Sequence, residues 1–102
     1  MPSHVVTIIH PDGSEQTANV HSDIALAEMQ KLVNGYIEVL ALADGRVMVV
    51  NEDGLLLKLP VNAKATELFG ASRRGAEQRK AGEKWVDCVV GTVVVCAGEL
   101  LA

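Results

Sequence analysis

From His4 to Ile9 the chain reads HVVTII, a β-branched run closed by HPDG at 10–13. Asp12-Gly13 is a turn signal, and SEQTANV follows at 14–20 with Gln16, Ala18 and Val20 out of phase with Glu15, Thr17 and Asn19. This alternation predicts a β-hairpin whose second strand lies at or near a sheet edge. From Ile24 the period lengthens: Ile24, Ala25, Met29, Leu32 and Val33 share one helical face, while Glu28 and Lys31 can face water. Ser22 can cap the start and Asn34-Gly35 supplies a left-handed stop, so a helix is predicted over 23–33.

YIEVLAL at 36–42, the turn ADG at 43–45 and RVMVVN at 46–51 predict a second hairpin. After EDG at 52–54, the apolar run LLLKL at 55–59 reads as a further short strand. Pro60 forces Leu59 into extended geometry, and Asn62 is a good N-cap for a helix over 63–69 that Gly70 would end. Residues 71–83 are polar, basic and glycine-containing and read as a mobile loop, with room for one helical turn at 75–80. WVDCVV, Gly91 and TVVVCA then predict one or two buried strands with a glycine bend between them. The expected fold is a single small α+β domain over residues 1–102. Its mainly antiparallel sheet is built from two β-hairpins plus C-terminal strands, with two helices.

Composition supports this layout. A chain of 102 residues suits one domain, and 49% apolar against 22% charged residues suffices for a real core. With one Phe, one Tyr and one Trp, that core must be Val, Leu, Ile and Ala, which favours sheet. Runs such as CVVGTVVVCAG at 88–98 fall short of the roughly 20 residues that span a bilayer. The N-terminus lacks a basic region and a cleavage-like end, so a cytoplasmic location is expected. The valine-rich strands offer more apolar surface than one small core hides, so a homo-oligomer is expected.

Net charge is −4, but it is unevenly spread. The segment 73–84 carries five basic and two acidic side chains, while the rest of the chain carries four and eleven. This asymmetry suggests an anionic partner. Duplex nucleic acid fits poorly, because the domain is acidic and has a single short basic patch with few aromatics.

The motifs of catalysis are missing from the sequence. His4, His10 and His21 lack metal-ligand spacing, and Cys88 and Cys96 form no CxxC and read as buried thiols. No serine stands in GxSxG, and neither GxxxxGK[ST] nor GxGxxG occurs. Glu38, Glu52 and Asp53 are too few to make a convergent acid pair or metal cage. The expectation is therefore a protein without catalytic residues, metal or cofactor. GASRRG at 70–75 can bring guanidinium groups to an anion. Tyr36, Asn51, Asn62 and Thr66 stand at strand and helix ends, where ligand sites often form, although turn and cap roles account for each one separately.

The blocks MQKLVNGYIEVL (29–40), VVNEDGLLLKLPVNAKAT (49–66) and VVGTVVV (89–95), with the opening VVTIIHPDG, carry a resemblance. They are similar to a family of small proteins encoded mainly by phages and conjugative plasmids and catalogued as a domain of unknown function. The likeness spans nearly the whole chain apart from roughly 70–85, and the NEDG…LPVNxxAT block is its most specific part. Asn34 stands where the family pattern has glycine and Thr92 where it has aspartate, so no acidic role carries over to position 92.

The family name implies no activity, but its setting suggests a non-catalytic accessory protein that binds. One expectation is sequestration of a small anionic or nucleotide-like ligand, such as a defence signal. Lys58, Arg73 and Arg74 would then meet phosphate, Tyr36 would stack on a base, and Asn51, Asn62 and Thr66 would hydrogen-bond. The alternative is a protein-interaction module that inhibits a host factor through its acidic surface.

Overall fold

Both hairpins form where turn chemistry and alternation predict them. The computed structural model describes residues 3–73 and 88–101, with side chains described for 3–70 and 88–101. Strands β1 (Ser3–Ile9) and β2 (Glu15–His21) pair antiparallel from Ser3 opposite His21 to Ile9 opposite Glu15. A 3-10 turn at Ser22–Ile24 leads into helix α1 (Ala25–Val33). Strands β3 (Ile37–Ala41) and β4 (Arg46–Asn51) make the second hairpin. Helix α2 (Ala63–Arg73), strand β5 (Val93–Ala97) and a 3-10 turn at Gly98–Leu101 follow. The sheet order is β2-β1-β5-β4-β3, with β1–β5 and β4–β5 antiparallel, so the last strand is inserted between the two hairpins. The fold is α+β, and β2 is an edge strand as expected.

The period of two along each strand divides the core into two layers. Val6 and Ile8 of β1, Val49 of β4 and Val94 and Cys96 of β5 face α1, where Ala25, Met29 and Val33 cover them. Ile9, Met48, Val50, Val93 and Val95 face the other way, against Ala65 and Phe69 of α2 and the returning Val89 and Val90. The central strand β5 is buried on both faces, which is why VVVC reads as one continuous apolar run rather than an alternating one. Among the described residues no helix is long and apolar enough to cross a membrane.

Four local expectations are corrected. Ser22 is not a side-chain cap, because the chain enters α1 through the 3-10 turn and no side chain caps it. The run 55–59 is not a strand: residues 55–58 belong to a turn segment at 52–58, and Leu59 follows it. Both edges of β4 are already taken by β3 and β5, so the following residues have no adjacent edge to join. Gly70 does not end the second helix, which continues to Arg73. Glycine costs a helix interior only about 1 kcal/mol, too little to stop it by itself. Before β5, Val90 makes only an isolated bridge to Val61, so the described C-terminal residues hold one strand, with Gly91 at φ 78 forming the expected bend. Of the basic segment, residues 71–73 belong to α2 and residues 74–83 lie outside the described residues.

Each hairpin turn is tied by an aspartate. Asp12 Oδ1 accepts from Ser14 Oγ at 2.6 Å and from Ser14 N at 2.8 Å. Asp44 Oδ1 accepts from Arg46 N at 3.1 Å, and Oδ2 accepts from Arg46 Nε at 2.8 Å. The Ser14 hydroxyl, first, holds the Asp12 carboxyl below its ordinary value, and the Arg46 backbone N–H does the same for Asp44. A carboxylate whose folded pKa is depressed stabilises the fold above its ordinary value of 3.8, and that contribution is lost as pH falls through the folded value. The expected outcome is a modest acid-induced drop in Tm that is shallower in the Asp12→Asn, Asp44→Asn double variant. Identical pH profiles of Tm for the two proteins would contradict it.

Candidate functional site

The seven residues singled out from sequence separate into three groups. Asn51, Asn62 and Thr66 are turned inward, Tyr36 and Lys58 are exposed, and Arg73 and Arg74 provide no described side chain.

Asn51 ends β4 and is 3% exposed. Its Nδ2 donates to Val33 O at 3.0 Å and Asn34 O at 3.3 Å, and its Oδ1 accepts from Asp53 N at 2.8 Å. It therefore satisfies carbonyls at the C-terminal end of α1 that the helix leaves without partners. Asn34 adopts φ 62 there, a left-handed conformation that asparagine tolerates.

Asn62 is 0% exposed and joins three parts of the chain. Its Oδ1 accepts from Ala65 N at 3.0 Å, capping α2 as expected. Its Nδ2 donates to Ile9 O at 3.0 Å and Gly91 O at 2.9 Å. Thr66 stands one turn into α2. Its hydroxyl donates back to Asn62 O at 2.9 Å and accepts from Val89 N at 2.8 Å. A modest helix former sits at this position because its hydroxyl receives the chain returning to the sheet. In all three side chains the donors are spent on backbone carbonyls, and each acceptor oxygen already holds a backbone N–H.

Between these two asparagines runs the segment from β4 to α2. Leu57 N donates to Asp53 O at 2.8 Å, Lys58 N to Leu55 O at 3.1 Å and Leu59 N to Gly54 O at 3.1 Å. With Lys58 at φ 57, this is a single helical turn closed by a Schellman motif. A left-handed lysine is strained, and such strain often marks a functional site. At its near end Gly54 N donates to Asn51 O at 3.1 Å; at its far end Asn62 N donates to Val89 O and Gly91 N to Pro60 O, both at 2.8 Å. The turn is held on both sides while its side chains face water: Leu55 is 40% exposed, Leu56 80% and Leu57 58%. Tyr36, 70% exposed, stands beside its root, where Glu52 N donates to Tyr36 O at 2.8 Å; Val61 beyond it is also exposed.

Sequence reasoning missed this leucine turn. The available signal was an apolar run with neither strand nor helix period, directly after the acidic turn Glu52-Asp53-Gly54.

The remaining polar chemistry is local. His10 Nε2 lies 2.8 Å from Gln16 Oε1, and His10 Nδ1 lies 3.2 Å from Thr92 Oγ1. With Gln16 Oε1 as acceptor, Nε2 carries the proton and Nδ1 accepts from the threonine hydroxyl. Among the described residues no group of three or more His, Cys, Asp or Glu is placed to hold a metal ion. Cys88 and Cys96 are free, and burial pushes the Cys96 thiol up.

No match was found among curated proteins or among solved structures. The family model of a domain of unknown function, DUF3846, matches residues 4–100, nearly the full length of the chain, and the protein therefore belongs to the DUF3846 family.

Proposed function

We propose that this protein is a non-catalytic binding module that engages a partner protein through the leucine turn at 55–57, with Tyr36 and Val61 beside it. One observation carries the reading: three consecutive leucines are held in water on a turn hydrogen-bonded at both ends. Soluble surfaces seldom present adjacent large apolar side chains without a use for them, and a rigid presentation lowers the ordering cost of binding. Glu52 and Asp53 precede the leucines, so the complementary surface is an apolar groove with a basic rim. The resemblance to phage and plasmid proteins supports a host defence factor as the partner. The competing reading, capture of a small anionic or nucleotide-like ligand, rests on Lys58, Arg73 and Arg74. It draws less support from Asn51, Asn62 and Thr66, whose polar groups are engaged with backbone.

A photocrosslinker at position 56 is expected to give a discrete adduct with the partner, and the same group at Asp12 none. Leu55→Asp with Leu57→Asp should remove the adduct at little cost to the fold, since exposed substitutions usually change stability by about 0.5 kcal/mol or less. Adducts that survive the double substitution would sink the reading. A nucleotide that stabilised the fold by about 2.7 kcal/mol at 100 times its Kd would favour the small-ligand reading instead.

A further inference from the structure

Among the described residues β3 is the last strand of the sheet, with β4 as its one neighbour. Its inward and outward backbone groups follow from two bonds. Leu42 N donates to Arg46 O at 2.9 Å, and Glu52 N donates to Tyr36 O at 2.8 Å. Those bonds place residues 36, 38, 40 and 42 in the set that pairs with β4, in register with Val50 opposite Glu38 and Met48 opposite Leu40. Ile37, Val39 and Ala41 therefore point their N–H and C=O groups away from the sheet.

We propose that this edge is a dimerisation surface, on which β3 of a second copy of the chain pairs antiparallel about Val39 to make one continuous ten-stranded sheet. The outward row is self-complementary. A twofold axis at Val39 lets its N–H and C=O exchange bonds with the same groups of the partner's Val39. Ile37 then exchanges both bonds with the partner's Ala41, and Ala41 with the partner's Ile37. Every outward donor meets an acceptor with none left over. Charge agrees as well. The one ionisable residue of β3, Glu38, belongs to the inward set and falls opposite the partner's Leu40, so no two carboxylates stand directly opposite each other.

Several devices that block edge pairing are absent from the strand itself. β3 contains no lysine or proline, and its register with β4 has no bulge. Val39 at its centre is 44% exposed and Tyr36 at its end 70% exposed.

The opposite edge is different. His10 N donates to Ser14 O at 2.9 Å, which fixes Gln16, Ala18 and Val20 inward and leaves Glu15, Thr17, Asn19 and His21 on the outer row of β2. Polar residues guard that edge, and Glu15 is held by Lys64 at 3.1 Å. With one adhesive edge and one guarded edge, pairing closes at two copies instead of growing into a fibre. A five-residue edge is shorter than most stable interfaces, so the dimer dissociates on dilution.

Sedimentation equilibrium over a dilution series, with amide hydrogen exchange, tests the proposal. The wild type should approach twice its 10.8 kDa mass at high concentration, with the amides of Ile37, Val39 and Ala41 protected there and exposed on dilution. Val39→Pro removes an outward N–H without touching the β4 ladder. It should sediment as a monomer with fast exchange at Ile37 and Ala41, while Thr17→Pro on the outer row of β2 should dimerise like the wild type. Leu56→Asp should dimerise too, which separates this surface from the leucine turn. If Val39→Pro fails to fold, Val39→Lys supplies the monomer, and the wild-type exchange pattern decides. A wild type that stays monomeric up to its solubility limit, or protection absent at these three amides, overturns the proposal. So does a Val39→Lys variant that dimerises as tightly as the wild type.

Discussion

Asn62→Ala is expected to destabilise the protein by about 3–7 kcal/mol, a large share of the 5–15 kcal/mol that holds a typical domain folded. Loss of the α2 cap accounts for about 1 kcal/mol. The carbonyls of Ile9 and Gly91 would also lose their donors in a site that is 0% exposed, at about 1–3 kcal/mol each. Urea unfolding reads the effect as a lower midpoint at unchanged slope. Asn62→Asp separates the contributions. It keeps the oxygen that accepts from Ala65 N but removes both donors and introduces a buried acid. It should therefore be no better than alanine. Recovery of most of the stability by aspartate would mean that Asn62 is a cap and little else.

Gly35→Ala is the second large effect, at about 2–3 kcal/mol. A Cβ at position 35 would stand 2.7 Å from Asn51 Nδ2 and 3.4 Å from its Cγ. That nitrogen is held by Val33 O and Asn34 O, so it cannot give way without releasing both. Asn51→Ala removes the same bonds together with the acceptor of Asp53 N, and should cost a similar amount. Because the two substitutions act through one carboxamide, the double variant should lose clearly less than the sum of the singles. Strict additivity in chemical denaturation would show that Gly35 is required for another reason.

These two experiments concern residues that the sequence marks but does not explain. Asn62 before a helix reads as a cap from its neighbours alone, and the cap is present. That its amide also ties β1 to the bend before β5 depends on Ile9 and Gly91, which lie 53 and 29 residues away. Thr66 is similar: its partner Val89 is 23 positions distant. Polar residues at element ends attract a ligand reading because local patterns show the donor and acceptor groups but not the backbone that fills them.

What the sequence determined by itself is what short-range physics controls. Alternation and turn chemistry place both hairpins, a helical period with a left-handed Asn34 places α1, and the continuous VVVC run marks a strand buried on both faces. Only the tertiary structure decided that β5 separates the hairpins, because any edge of matching hydrophobicity could accept that strand. It also decided the fate of Leu55–Leu57. Their apolarity alone suits a strand, yet β4 has no open edge beside them, and the chain winds into an exposed turn. Hydrophobic pattern determines which residues prefer burial, whereas the partners that remain free in space determine which of them are buried.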